Sequence, residues 1–506
     1  MSEAVRNVAA VAAAAGVVGL LAPLPLLRSE AQRAAALAVT LASWALLLGT
    51  LVPDGDWSKG LDRLRSPAPA GAAAAALIVG LLVLMVGVRL VLARPTLWFV
   101  LLGIAAPIRV PVSIGSGQAN LLVPLYAVIL LGLTAWIWGR ARGRIGAPGG
   151  EGPAVLAAPL AAFVAYLLVS TLWSADPTEA AKKACFFYIP FLLAYVLVVA
   201  WWPHARALGA LAVTTVAGGT VAGAVGLYQY AIKDIWWNQT LQQANVYSRF
   251  FRVNGIFFDP NILGRYVVMG ILVCLALAWV RNRPAELAAL AAATIVMTAA
   301  LAVTFSRSSA LMLMLGLVML ASRAVGVRRA AITGAALLIV AGGAAAATSG
   351  NVRHAATDSH RLSRVSEGRF DLMKGGLTIW RDNPVTGAGL GGFQKRFEQT
   401  LTPVEQRRVR VVISHNSPVT VLSEAGAVGF ALFLALIVGT GWAVARGSRA
   451  QGDVGWARWT LAAIIAGIAL HSLLYAALFE DPFLWIAAGA AVALARIGTA
   501  EPVPET

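Results

Sequence analysis

Charge is scarce in this sequence. Asp, Glu, Lys and Arg make up 12% of its 506 residues, about half the share found in soluble proteins. No stretch is polar and long enough to form a separate soluble domain. Acids are the scarcer sign, 23 against 40 Lys and Arg. There are two cysteines, Cys185 and Cys274, both inside apolar segments. A disulfide framework and a cysteine metal site are thereby excluded, and packing roles are expected.

What fills the sequence is apolar: 59% of residues are hydrophobic. Runs near the roughly 20 residues needed to cross a bilayer recur from end to end. Candidate spans are Val8–Leu27, Ala34–Val52, Gly71–Val91, a short Leu97–Pro107, Leu121–Trp138, Val155–Trp173, Ala184–Trp202 and Leu208–Ile232. They continue with Ile262–Val280, Leu287–Thr304, Ser309–Ala321, Ala330–Ala347, Pro418–Val444, Trp459–Leu478 and Phe483–Ala495. The fold class is therefore all-α, a polytopic transmembrane bundle of about 12–15 crossings. Val8–Leu27 has little flanking charge and many spans after it, so it reads as a membrane helix and not a signal peptide.

The net charge of +17 does not point to nucleic acid. Many arginines sit in short linkers: Arg140, Arg142 and Arg144; Arg281 and Arg283; Arg323, Arg328 and Arg329; Arg446 and Arg449. That is the positive-inside pattern, which sets topology against the lipid bilayer. Acidic or mixed linkers alternate with them, Asp176/Glu179 and Glu480/Asp481 among them. This alternation predicts a cytoplasmic C-terminus. It puts Lys233–Pro260, the turn Ser306-Arg307-Ser308 and the segment Thr348–Ser414 outside. Four regions follow: 1–207 and 208–347 as N-terminal and central membrane helices, 348–414 as an extracytoplasmic loop, and 415–506 as C-terminal helices.

The long outer loop carries eleven Lys/Arg against six acids, which suits an anionic ligand. Phe370, Met373, Leu377 and Trp380 fall at helical spacing, so Gly368–Trp380 reads as an amphipathic helix against the bundle. Asp382-Asn383-Pro384 and Gly387, Gly389, Gly391 and Gly392 then form turns. The glycines follow a helix and not a strand, so they are no dinucleotide fingerprint.

Several residues could carry chemistry. His415, in Ser414-His415-Asn416-Ser417-Pro418, precedes a helix start in which Ser417 would be the N-cap and Pro418 the first helical residue. The positive end of that helix favours a neutral imidazole and attracts anions, as a general base beside a phosphate requires. A purely capping histidine is the alternative. Arg307 lies in the tight outer turn, where it either binds an anion or snorkels to headgroups. Arg265 lies one turn after Asn261, just inside the outer interface, and Arg369 begins the loop helix. The three arginines offer planar forks for bidentate phosphate contacts. Glu424 is too far along its helix to partner His415 and is expected to pair within the bundle. His471 reads as a hydrogen-bonded interior histidine. Asp54-Gly55-Asp56 is a possible metal-binding acidic pair.

His415-Asn416, a nine-residue spacer and Gly426-Ala427-Val428-Gly429 resemble the His-Asn/Ser/Gln, Gly-x-x-Gly signature of bacterial O-antigen ligases. Phe258-Asp259-Pro260-Asn261, Thr304-Phe305-Ser306-Arg307 and Arg369…Trp380…Asn383-Pro384-Val385-Thr386-Gly387-Ala388-Gly389 resemble the wider O-antigen ligase and polymerase superfamily. The resemblance spans roughly Leu208–Leu478; the first 200 residues share only hydrophobicity. It implies a membrane glycosyltransferase of the bacterial inner membrane, with its site facing the periplasm or exterior. The implied reaction is an inverting transfer, with neither metal nor cofactor, from an undecaprenyl-diphosphate-linked glycan donor to a glycan or glycolipid acceptor. His415 would be the base, with Arg307 and Arg369 on the diphosphate. Arg265, Asn261 and Asn416 would complete the substrate contacts. A repeat-unit polymerase of the same superfamily is the nearest alternative. A transporter or flippase of lipid-linked glycans is the alternative from another class, although the internal repeats expected of one are not evident.

Overall fold

The structure is a computed structural model. It describes residues 3–21, 30–52, 67–114, 117–143, 154–201, 205–248, 250–330, 332–336, 369–401, 414–447, 452–475 and 477–497. The acidic pair Asp54/Asp56, most of Ala330–Ala347 and much of the basic outer loop lie outside the described residues.

The helices in chain order are α1 (Glu3–Leu21), α2 (Glu30–Thr50), α3 (Pro67–Ala93), α4 (Thr96–Ala105), α5 (Val123–Ala141) and α6 (Ala154–Val169). Next come α7 (Pro177–Lys183), which runs through a π-helical turn into α8 (Ile189–Trp201), then α9 (Ala205–Ile232), α10 (Gln239–Tyr247), α11 (Pro260–Val280) and α12 (Pro284–Thr304). The set closes with α13 (Arg307–Val325), α14 (Arg369–Asp382), α15 (Phe393–Thr400), α16 (Ser417–Gly447), α17 (Gly452–His471) and α18 (Pro482–Ile497). Twelve helices among the described residues are long and apolar enough to cross a membrane, so the chain is a multi-pass, all-α membrane protein. In lipid every backbone polar group must be paired internally, which is why apolar runs of this length fold as helices.

Three expectations need correction. Leu97–Pro107 forms only the ten-residue α4, about 15 Å long, which cannot cross a hydrocarbon core of about 30 Å. Instead it packs Trp98, Phe99 and Leu102 into the protein interior and leads into an antiparallel hairpin, β1 (Val110–Ile114) on β2 (Gly117–Leu121). The span expected to reach Leu478 ends at His471, and the residues after it form turns. The loop helix α14 does form, but its buried residues are Gly376 and Ile379, while Leu377 stays exposed. Gly375 and Gly376 have no side chain to hold off Phe397, Phe393 and Val419. The close approach of these groups decides the face.

Two spans form the enclosed centre. In the window over α11, and in that from α7 through α8, 72% of residues are buried inside the protein, against 11% for α3. Around α11 pack α9, α12, α13 and α17, and α16 lies on α6 and α14.

Candidate active site

Three helices begin on one face of the molecule and are tied together there. Asp259 caps α11 by accepting from the Asn261 N–H at 2.6 Å. Ser306 caps α13 by accepting from the Ser309 N–H. The start of α16 is capped by Asn416, whose Oδ1 accepts from the Val419 N–H at 3.0 Å. This corrects the sequence reading, which gave that role to Ser417. Ser417 is the first helical residue and its Oγ has no hydrogen-bond partner among the described residues.

The first turns of α11 and α13 are joined by hydroxyls. Ser306 Oγ donates to Asn261 Oδ1 at 2.8 Å and lies 2.8 Å from Ser309 Oγ. Both Ser308 Oγ and Ser309 Oγ meet His471 Nε2, at 3.0 and 3.2 Å. His471 is thus a fully buried, hydrogen-bonded interior histidine. It fixes the helix turn that begins with Arg307, while Arg307 itself is exposed.

The turn after His471 gathers the remaining pieces. Its successive carbonyls at Ser472, Leu473 and Leu474 accept from the Ser417 N–H, Asn416 Nδ2 and Arg369 Nη1, each at 3.0 Å. Carbonyls at a helix C-terminus lack intrahelical partners and carry the negative end of the helix dipole. They are natural acceptors for a guanidinium and for the start of another helix. The next residue, Tyr475, lies between two imidazoles, its ring centre 6.2 Å from His415 and 5.7 Å from His471.

His415 sits in left-handed backbone, φ +56°, uncommon for a residue with a side chain. Ser414 Oγ holds it there by donating to the Asn416 carbonyl at 2.7 Å and accepting from the Asn416 N–H at 3.1 Å. The Asn416 side chain is engaged at both ends as well, Oδ1 with the Val419 N–H and Nδ2 with the Leu473 carbonyl, so it braces the turn.

Arg265 also differs from expectation. It is 2% exposed and its Nε lies 2.9 Å from Asp481 Oδ2, so a buried carboxylate already balances its charge. Its Nη1 has no hydrogen-bond partner among the described residues. Arg109, just before β1, lines a small pocket together with Arg265 and Asp481. Burial lowers the pKa of the Arg109 guanidinium and the nearby Asp481 opposes the shift.

Glu424 pairs with Lys183 at 3.1 Å, and Lys183 lies 3.8 Å from Glu480. This triad keeps Glu424 within the bundle. Burial raises the pKa of the Glu480 carboxyl, and Lys183 pulls the other way.

The glycine spacing has a mechanical reading. Gly426 interrupts α16 at φ +63°, ψ −166°, a region open essentially to glycine alone. The segment 384–389 docks against the break. Ala388 N and Gly389 N donate to the Ser423 and Glu424 carbonyls at 2.9 and 2.8 Å. Ala427 N and Val428 N donate to the Pro384 and Val385 carbonyls at 2.8 and 3.2 Å. In an uninterrupted helix these four groups would pair with each other, 427 to 423 and 428 to 424. A Cβ on Gly426 would overlap the Val385 carbonyl, and one on Gly389 would overlap Ser174.

His415, Arg369 and the first turn of α13 are therefore brought together, whereas Arg265 is buried against Asp481. Lys183, Asp481, Ser308, Ser309, Tyr475 and Arg109 were not singled out from sequence as functional. One signal pointed to a partner such as Lys183: a lone carboxylate like Glu424 within an apolar span needs a buried cation. No curated protein matches the sequence. Residues 292–434 match the family model described as O-antigen ligase, a region that includes Arg307, Arg369, His415 and Gly426. This match supports placing the chain in the O-antigen ligase/polymerase superfamily, as an O-antigen ligase-like membrane protein.

Proposed function

We propose that this chain transfers a glycan from undecaprenyl diphosphate to an acceptor sugar hydroxyl at the outer face of the bacterial inner membrane. The transfer needs no metal and inverts the anomeric carbon. One observation carries this reading. The N-termini of α11, α13 and α16 meet around the 471–475 turn, and His415 and the element bearing Arg307 lie there with the Arg369 guanidinium. Each helix start presents about half a positive charge, and together with two arginines they favour a bound diphosphate.

In the proposed step His415 takes the acceptor hydroxyl proton as that oxygen bonds to the anomeric carbon. The anomeric C–O bond to the diphosphate breaks, and undecaprenyl diphosphate leaves with the electron pair. Arg307 and Arg369 stabilise the departing charge, the part that otherwise falls to a metal. The protonated His415 then returns its proton to solvent. Arg265, paired with Asp481, ties α11 to the residue that precedes α18. Asn261 and Asn416 hold the helix starts.

The test uses purified protein in detergent with an undecaprenyl-diphosphate glycan and a panel of acceptors, with and without chelator. Chelator-resistant transfer that disappears in His415→Ala is expected, and the preferred acceptor separates ligase from polymerase. Transfer abolished by chelator and restored by a divalent cation would overturn the metal-free reading. Intact donor binding without transfer to any acceptor would shift the assignment toward a carrier of lipid-linked glycans.

A further inference from the structure

The proposed base stands on a strained turn, and what fixes its ring is a separate question from what fixes its backbone. Hydrogen bonds from Ser414, Asn416 and Ser417 pin residues 414–417. They set the direction of the His415 Cα–Cβ bond but not the two side-chain torsions beyond it. The Tyr475 ring packs against the imidazole at 6.2 Å, tilted 50°, within the range of favourable aromatic pairs. On its other side Tyr475 meets His471 edge to face, at 5.7 Å and 71°. His471 is itself anchored to Ser308 and Ser309. Contacts therefore run from His415 through Tyr475 and His471 to the turn that begins with Arg307.

We propose that Tyr475 is a positioning residue, whose ring sets the orientation of the His415 imidazole and its register with the Arg307 turn. This rests on the reading of His415 as the base. The ring carries the role, not the phenol hydroxyl. A group displaced by about 1 Å from its productive geometry can cost about a hundredfold in rate. Loss of the ring should therefore act on the chemical step and leave donor binding in place.

Two readouts test this on full-length protein in detergent. The first is the rate at which diethyl pyrocarbonate modifies His415, followed by peptide mass spectrometry and independent of any activity. Tyr475→Leu should raise that rate several-fold, while Tyr475→Phe and Tyr475→His keep it near wild type. The second is kinetic. Tyr475→Leu should lower kcat by about ten- to a hundredfold with the donor KM little changed, and Tyr475→Phe should restore most of it. Equal damage in the Phe and Leu variants would give the role to the hydroxyl and overturn the proposal. Wild-type reactivity of His415 in Tyr475→Leu would overturn it as well. Where Tyr475→Leu fails to fold, the Phe and His variants decide, since loss of His415 positioning in both refutes a ring-based role. Were wild type to catalyse no transfer, the proposed function would fall while the modification rates still decided this inference.

Discussion

The helix α3 and the pair α11 and α13 are built from similar apolar residues yet face different surroundings. In α3, Leu77, Ile78, Val79, Leu81, Leu82 and Val83 are all exposed on the protein surface, where lipid is their natural solvent. In α11, Arg265 and Asn261 are buried and each has a specific partner on another element. The contrast extends along the chain. Among the described residues, the buried polar and charged side chains before Ser170 are Thr40 and Ser43, and the rest follow it. Among the described residues, the non-glycine residues with positive φ are Lys233, Phe305, His415 and Ala477, all after Ser170. Strain and buried polarity persist only where surrounding contacts over-determine them, which is characteristic of functional sites. The exposed face of α3 meets lipid alone, so it should tolerate changes that the buried polar sites after Ser170 do not.

The largest expected effect is on chemistry. His415→Ala should lower transfer by about a thousandfold or more, the scale of lost general-base catalysis, with protein abundance unchanged. A residual rate within tenfold of wild type would remove His415 from the base role. Arg307→Lys comes next. Lysine keeps the charge but not the planar fork, and a drop of about a hundredfold is expected from a lost transition-state donor. Full activity in that variant would mean that the arginine anchors headgroups instead.

Glycines sharpen the comparison between regions. Gly426→Ala should destabilise the protein by about 1–3 kcal/mol through backbone strain, and further through overlap with Val385. Gly80, in α3, has open space where a Cβ would go, and Gly80→Ala should be neutral or slightly stabilising, by up to about 1 kcal/mol. Thermal unfolding in detergent measures both. Equal shifts at the two sites would contradict the difference drawn between the regions.

The smallest effect concerns Glu480. Its raised pKa means that the folded protein holds this proton more tightly than the unfolded chain does. The corresponding stability is complete below the ordinary carboxyl value of 4.5 and is lost as pH rises through the raised value. The Tm of wild type relative to Glu480→Gln should therefore fall as pH increases above 4.5. A rise would show that attraction to Lys183 outweighs burial.

Much of the architecture was legible in residue order. Run length and composition identify the membrane helices because lipid leaves the backbone no other pairing. His415, Arg307, Arg369 and the glycine spacing stood out because charge, histidine and glycine are rare or punctuating in an apolar chain. Less legible were the ends of elements. The turn after His471 and the start of α16 brace each other across more than fifty residues, and α4 packs on residues distant in sequence. The buried face of α14 was missed because two glycines, invisible to a hydrophobic stripe, permit the closest packing.

By itself, then, the sequence determined that this is a helical membrane protein with one polar, basic, glycine-punctuated region, since periodicity and transfer energy are local properties of the chain. Only the tertiary structure decided which polar groups meet. Arg265 finds Asp481, Lys183 finds Glu424, and three successive carbonyls after His471 gather Ser417, Asn416 and Arg369. The physical reason is that a buried charge or unpaired backbone group must be matched in space. Its partner is fixed by helix packing over hundreds of residues, which no local window contains.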